Sequence, residues 1–238
     1  PDTEALRSLL SELEFYTLLK ADGPAARVDT GGFSLVRTRR QLESLVSRLA
    51  GAKQIFIDTE TSSLDPLTTD LVGISLCESR DSVWYIPCGH RDETANLVSD
   101  QLAVREITDA LRPLLENRGL PKIGHNIKFD LAVLGLPHNG GIVMAPPLYD
   151  TMVAAWLIDP ERRSYKLDDL CLDLDLKMTS FAEVVAGDKR EDSFTRVKLE
   201  KARDYSCEDA YGVSLLFEAQ RPQLENLGLW KLLSLIHI

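Results

Sequence analysis

The tightest constraint on this chain is a short apolar run, Ile55-Phe56-Ile57, that ends on Asp58-Thr59-Glu60. Residues 54–58 read as its strongest β-strand. Side chains at i and i+2 of a strand point to one face, so Asp58 and Glu60 stand together at the strand's end. Two carboxylates held that way repel each other and raise a pKa unless a cation sits between them. Hard divalent cations such as Mg²⁺ take oxygen ligands of this kind. Taken alone, Asp-x-Glu fits a solvated turn just as well.

The remaining segments frame that strand. Leu6, Leu9, Leu10, Leu13, Tyr16 and Leu19 recur at helical spacing over residues 4–19. Residues 21–32, with Gly23, Pro24, Gly31 and Gly32, read as a linker, which puts a first boundary near residue 30. Residues 33–36 alternate as a short strand and 39–49 as an amphipathic helix. Residues 71–77 and 82–87 pair as a hairpin turned at Ser79-Arg80-Asp81. Helices are expected over 100–116, 126–135, 151–158, 166–173 and 197–218, with a short strand at 122–125. This order predicts a mixed α/β sheet covered by helices. The carboxylates fall at strand ends and helix starts, where sites of α/β proteins usually sit.

Composition narrows the function classes. At 44% apolar and 27% charged residues the chain is neither disordered nor fibrous. No apolar run approaches the ~20 residues of a membrane span. The formal charge of −10 excludes a uniformly basic nucleic-acid coat. A nucleic-acid partner would therefore require a local basic surface or bound cations. Cys77, Cys88, Cys171 and Cys207 include no Cys-x-x-Cys pair, and no histidine pair has zinc-finger spacing. They read as buried, reduced thiols of a cytosolic protein.

Two further pairs extend the acidic pattern. Asn126 and Asp130 are four apart, on one face of a helix that Asn126 is suited to cap. Tyr205 and Asp209 are again four apart on a helix. Each pair alone is read as well by a capped helix or an amphipathic face. Together the three elements bring four carboxylates and a phenol. Four carboxylates can hold two cations about 4 Å apart, an arrangement suited to attack of water on a phosphodiester. The tyrosine hydroxyl can orient that water.

In this order the motifs resemble the 3′–5′ exonuclease (proofreading) domain of bacterial family A DNA polymerases, the DNA polymerase I type. The matching segments are residues 56–65, 124–130, Tyr149-Asp150-Thr151-Met152, Leu167-Asp168-Asp169-Leu170 and 205–210, with Phe181-Ala182-Glu183-Val184 before the last motif. The resemblance implies an RNase H-like fold, a mixed five-stranded sheet flanked by helices. It implies that Asp58, Glu60 and Asp209 hold a catalytic cation, and that Asp130 with Asp58 holds a second. The two ions would be Mg²⁺ or Mn²⁺. Tyr205 would position the nucleophile, and Thr59, Leu64, Asn126 and Phe181 would meet the substrate. It further implies a metal-dependent exonuclease acting on the 3′ end of single-stranded or frayed DNA, as a monomer in the bacterial cytosol or nucleoid. Two departures concern substrate grip. Residues 187–192 carry mixed charge where the family has a basic segment, and Ser164 stands where an arginine is usual. Arg162, Arg163, Lys166 and Lys128 are the candidates for phosphate contacts.

The resemblance places the nuclease at residues 31–220. Residues 1–30 would be the tail of a 5′-nuclease domain and 221–238 the start of a polymerase region. The chain opens on Pro1, and residues 233–238 resemble a translated transposase sequencing adapter, so it reads as a piece of a longer protein. An RNA-trimming nuclease of the ribonuclease D type shares the catalytic set and is the alternative within enzymes. A catalytically silent scaffold supporting a polymerase is the alternative outside them.

Overall fold

The computed structural model describes residues 3–13, 15, 18 and 27–235. Helix α1 covers Thr3–Glu12. Tyr16 and Leu19 of the expected first helix, residues 21–26 of the linker and the last three residues of the chain lie outside the described residues. Next come β1 (Phe33–Leu35), α2 (Arg39–Leu49), β2 (Ile55–Thr61), β3 (Leu71–Ser79), β4 (Ser82–Pro87), α3 (Val104–Leu115), β5 (Lys122–Gly124), α4 (Lys128–Gly135) and β6 (Leu148–Asp150). Helices α5 (Thr151–Ile158), α6 (Leu167–Leu172), α7 (Phe181–Val184), α8 (Leu199–Asn226) and α9 (Trp230–Leu235) complete the chain. Among the described residues no helix is long and apolar enough to cross a membrane.

The strands form one mixed sheet of order β1-β4-β3-β2-β5-β6. β2, β3 and β4 run antiparallel as a meander, while β5 and β6 join parallel to β2 and β1 joins parallel to β4. The sheet carries one strand more than the five expected. The addition is β6, whose three residues are too few to show a period of two.

Alternation along β2 sorts its side chains onto two layers. Ile55 and Ile57 are buried with Leu42, Leu45 and Leu49 of α2 and Ile107, Leu111 and Leu115 of α3. Phe56 faces the other way, into a core with Ala210, Val213 and Phe217 of α8. Asp58 and Glu60 continue the Phe56 side by strand periodicity, so they are turned toward α8. Thr59 continues the Ile57 side. α2 is fixed at its start by a capping box: Thr38 Oγ1 accepts from the Gln41 N–H, and the Gln41 side chain accepts from the Thr38 N–H.

Several boundaries differ from expectation, and β2 runs on to Thr61, past Asp58. α3 begins at Val104 rather than residue 100. α8 runs to Asn226, past Pro222, a residue that reads as a helix stop in sequence. Burial of Leu224 among Ala154 and Leu233 extends the helix beyond the proline. All four cysteines are buried and unpaired, as expected.

Candidate active site

β2 delivers Asp58 and Glu60, and α8 crosses their face with Tyr205 and Asp209. Carboxylate oxygens of Asp58, Glu60 and Asp209 lie within 4.8 Å of one another. Their spacing fits the oxygen shell of a hard divalent ion. Tyr205 and Asp209 face the same side of α8, as the four-residue spacing predicts, close enough that the carboxylate raises the proton affinity of the phenol. Asp130 lies outside this triad, buried on the first turn of α4. The Thr59 hydroxyl, on the opposite side of β2 from its two acidic neighbours, donates to Asp130 Oδ1 at 2.6 Å. The same strand thus supplies two carboxylates to one layer and the donor that holds a third from the other.

Asn126 departs from expectation. It is not a side-chain cap and it precedes the helix. α4 starts at Lys128 with Ile127 in the cap position, and Asn126 has φ of 59°. Asparagine tolerates this left-handed conformation better than most residues. The turn is held from β6. Asp150 accepts from the backbone N–H groups of Asn126 and Ile127 at 2.9 and 3.0 Å.

The carboxylates open onto a cavity of about 550 Å³ whose lining includes Asp58, Glu60, Asn126, Phe129, Tyr205 and Asp209. Leu64 and Phe181 stand at its wall, 89% and 47% exposed. Phe181 is braced edge-on by Tyr205 and face-on by Phe194. Thr61 and Ser63 line the cavity too, as does Arg190, so the mixed-charge segment 187–192 does reach the site. Of the four cationic candidates, Arg162 is committed elsewhere, with an ion pair to Asp173 and a bond to the Ser164 carbonyl. Lys128, Arg163 and Lys166 are exposed.

The acids perturb one another. Burial lifts Asp58 to about 7. Burial, then the Asp58 charge, lifts Glu60 to about 8, against a partial offset from the Ser206 hydroxyl, which donates to Glu60 Oε1 at 2.7 Å. Asp209 is pushed well up by burial and by the charges of Asp58 and Glu60. Asp130 is raised by burial and by Asp58, and lowered in part by Thr59. Burial and the neighbouring carboxylates push Tyr205 far above the usual phenol range, so it stays a hydrogen-bond donor. Among the described residues no lysine or arginine forms an ion pair with any of the four. Four clustered acids without a protein counter-charge are a site for cations.

Sequence reasoning missed Ser206 and Asp150. Ser206 is three residues before Asp209 on α8, a spacing that places it on the same face and could have flagged it. Asp150, directly before a helix, carries an N-cap signature. Nothing in its sequence context points to its second task across the β5–β6 pair.

Comparison with known proteins follows this geometry. A family model described as 3′-5′ exonuclease matches residues 33–225. DNA polymerase I of Chloroflexus aurantiacus is 36% identical over 192 residues, covering 81% of this chain and 19% of that protein. The chain spans about a fifth of the length of this and two further bacterial DNA polymerase I proteins that it matches, from Synechocystis and Borreliella burgdorferi. Among solved structures, Brucella melitensis NrnC bound to pGG superposes with a TM-score of 0.59 at 24% identity, covering 77% of this chain and 79% of that one. Trypanosoma brucei RNase D superposes with a TM-score of 0.63 at 16% identity, covering 80% and 65%. At these identities the two structures report the shared fold.

Proposed function

The chain belongs to the 3′–5′ exonuclease family of DNA polymerase I, and on that footing we propose that it removes nucleotides one at a time from the 3′ end of single-stranded or frayed DNA. The observation that carries this reading is the convergence of Asp58, Glu60 and Asp209 on one point beside Tyr205, in a cavity flanked by two exposed apolar side chains. Asp58, Glu60 and Asp209 would hold one divalent cation, and Asp130 with Asp58 a second, Mg²⁺ or Mn²⁺. The raised proton affinity of these buried acids fits such ions, because a cation offsets both the burial and the mutual repulsion that raise it. When bound, the ions supply Lewis acidity, favouring ionisation of the attacking water and offsetting charge on the departing 3′ oxygen.

The chain's own groups do the positioning. Tyr205, kept protonated beside Asp209, orients the water by hydrogen bonding. Leu64 and Phe181 stack on the terminal bases, a sequence-tolerant contact suited to any mispaired end. Thr59 and Asn126 line the terminal nucleotide. The acids repel phosphate until cations neutralise them, so strand binding follows metal binding. Residues 31–220 form the nuclease core, with the 5′-nuclease and polymerase regions of a longer chain as its partners in the bacterial cytoplasm and the polymerase supplying the melted strand. The core acts as a monomer.

The test is a 5′-labelled single-stranded DNA oligonucleotide incubated with Mg²⁺. The expected product is a ladder shortening by one nucleotide at a time, stopped by EDTA and by Asp58→Ala with the circular dichroism spectrum unchanged. Undiminished cleavage by Asp58→Ala overturns the assignment. An RNA strand of equal length, run in parallel, separates DNA proofreading from RNA trimming.

A further inference from the structure

We infer that Asp150 is a positioning residue for the nuclease site, setting the turn that presents Asn126 and starts the helix carrying Asp130. Four backbone N–H groups converge on this one buried carboxylate. Met152 and Val153, at the start of α5, donate to Oδ1 at 2.9 and 3.3 Å, which is ordinary N-capping. Asn126 donates to the same oxygen at 2.9 Å and Ile127 to the other at 3.0 Å. The second pair is not capping. It reaches across the sheet, from β6 to the end of β5, where Gly124 pairs with Asp150 in parallel register.

The turn so held is one that the backbone does not choose freely. Asn126 has φ of 59°, in the left-handed region, and such residues persist only where their surroundings impose them. Asp150 is 1% exposed, so water does not compete for its oxygens. Charge-assisted bonds of this kind are about twice as strong as neutral ones. The α4 ladder begins inside the turn: Phe129 N–H donates to the Asn126 carbonyl and Leu131 N–H to that of Ile127. Moving the turn therefore moves the first turn of α4, and Asp130 with it. Asp150 lies outside the cavity lining and reaches the site through this turn, with its charge as a lesser influence on Asp130.

This inference rests on the exonuclease reading, and two variants of the full chain test it. Asp150→Ser keeps an N-cap for α5, since serine and aspartate cap comparably. Its single hydroxyl is too short to serve the β5 turn as well. Asp150→Asn keeps the shape but leaves one acceptor oxygen, and its NH₂ faces donors. Expected for both is hydrogen exchange accelerated at least about tenfold at the Asn126 and Ile127 amides. In Asp150→Ser the Met152 and Val153 amides stay protected. The kcat for single-stranded DNA falls about tenfold or more in both, whereas Asp150→Ser melts within a few degrees of the parent. Wild-type exchange at Asn126 and Ile127 in Asp150→Ser, or a kcat within threefold of the parent, overturns the inference. If Asp150→Ser does not fold, the same two readouts on Asp150→Asn decide. If the parent chain cleaves no oligonucleotide, the exonuclease reading fails, and the exchange data alone decide whether Asp150 sets the turn.

Discussion

Replacing Glu60 by Gln isolates the energetic cost of keeping buried acids together. Glutamine keeps the shape and an oxygen for the Ser206 hydroxyl, which lies 2.7 Å from Glu60 Oε1, but it cannot ionise. In the folded protein Glu60 titrates at about 8, against an ordinary value of 4.5. Between those pH values the folded state binds more protons than the unfolded one, so stability falls as pH rises. The loss is complete above about pH 8. At ~1.4 kcal/mol per pH unit, Glu60 ionising on its own would cost on the order of 4–5 kcal/mol. Asp58 shares the titration, so part of that cost belongs to the pair and stays with the buried Asp58 in the variant, and a net gain of on the order of 2–3 kcal/mol is the expected observable. Urea unfolding followed by far-ultraviolet circular dichroism in EDTA reads it directly. At pH 9 Glu60→Gln should be the more stable protein by that amount, and at pH 4 the two should agree within about 0.5 kcal/mol. Saturating Mg²⁺ should reverse the order at pH 9, because ligand binding to the folded state stabilises the parent alone. Equal stability of parent and variant at pH 9 in EDTA would refute the reasoning, whatever the effect on activity.

Three further outcomes follow from individual contacts. Tyr205→Phe removes the hydroxyl beside Asp209 and should lower kcat by about 10- to 100-fold with little change in KM, in steady-state cleavage of single-stranded DNA. Phe181→Ala removes the exposed aromatic wall and should raise KM about tenfold, since base stacking contributes ~1–3 kcal/mol per base. Gly73→Ala tests the sheet beneath Glu60, its register partner. A Cβ there would sit 2.2 Å from the Tyr85 hydroxyl, which is bonded to His90 Nε2. Overpacking of ~1–3 kcal/mol should lower Tm by several degrees in a thermal melt.

How much of this was legible in the sequence depends on the range over which each signal acts. Local periodicity was enough to find β2, to turn Asp58 and Glu60 to one side, and to set Tyr205 beside Asp209, because each needs only a period of two or of 3.6. Those pairs carry the three-carboxylate point of the site. What the sequence did not reveal is carried by contacts between distant segments. Thr59 reaches Asp130 across 71 residues and Ser206 reaches Glu60 across 146. Asn126 misled for a related reason. Asparagine is suited both to capping a helix and to the left-handed turn before one, and nothing within the segment decides between them. The deciding group is Asp150, 24 residues on, which claims the Asn126 amide from a neighbouring strand. The acids themselves were readable as motifs, whereas the donors that aim them belong to the packing. Substitutions among those donors should therefore alter catalysis while the four carboxylates and Tyr205 stay intact.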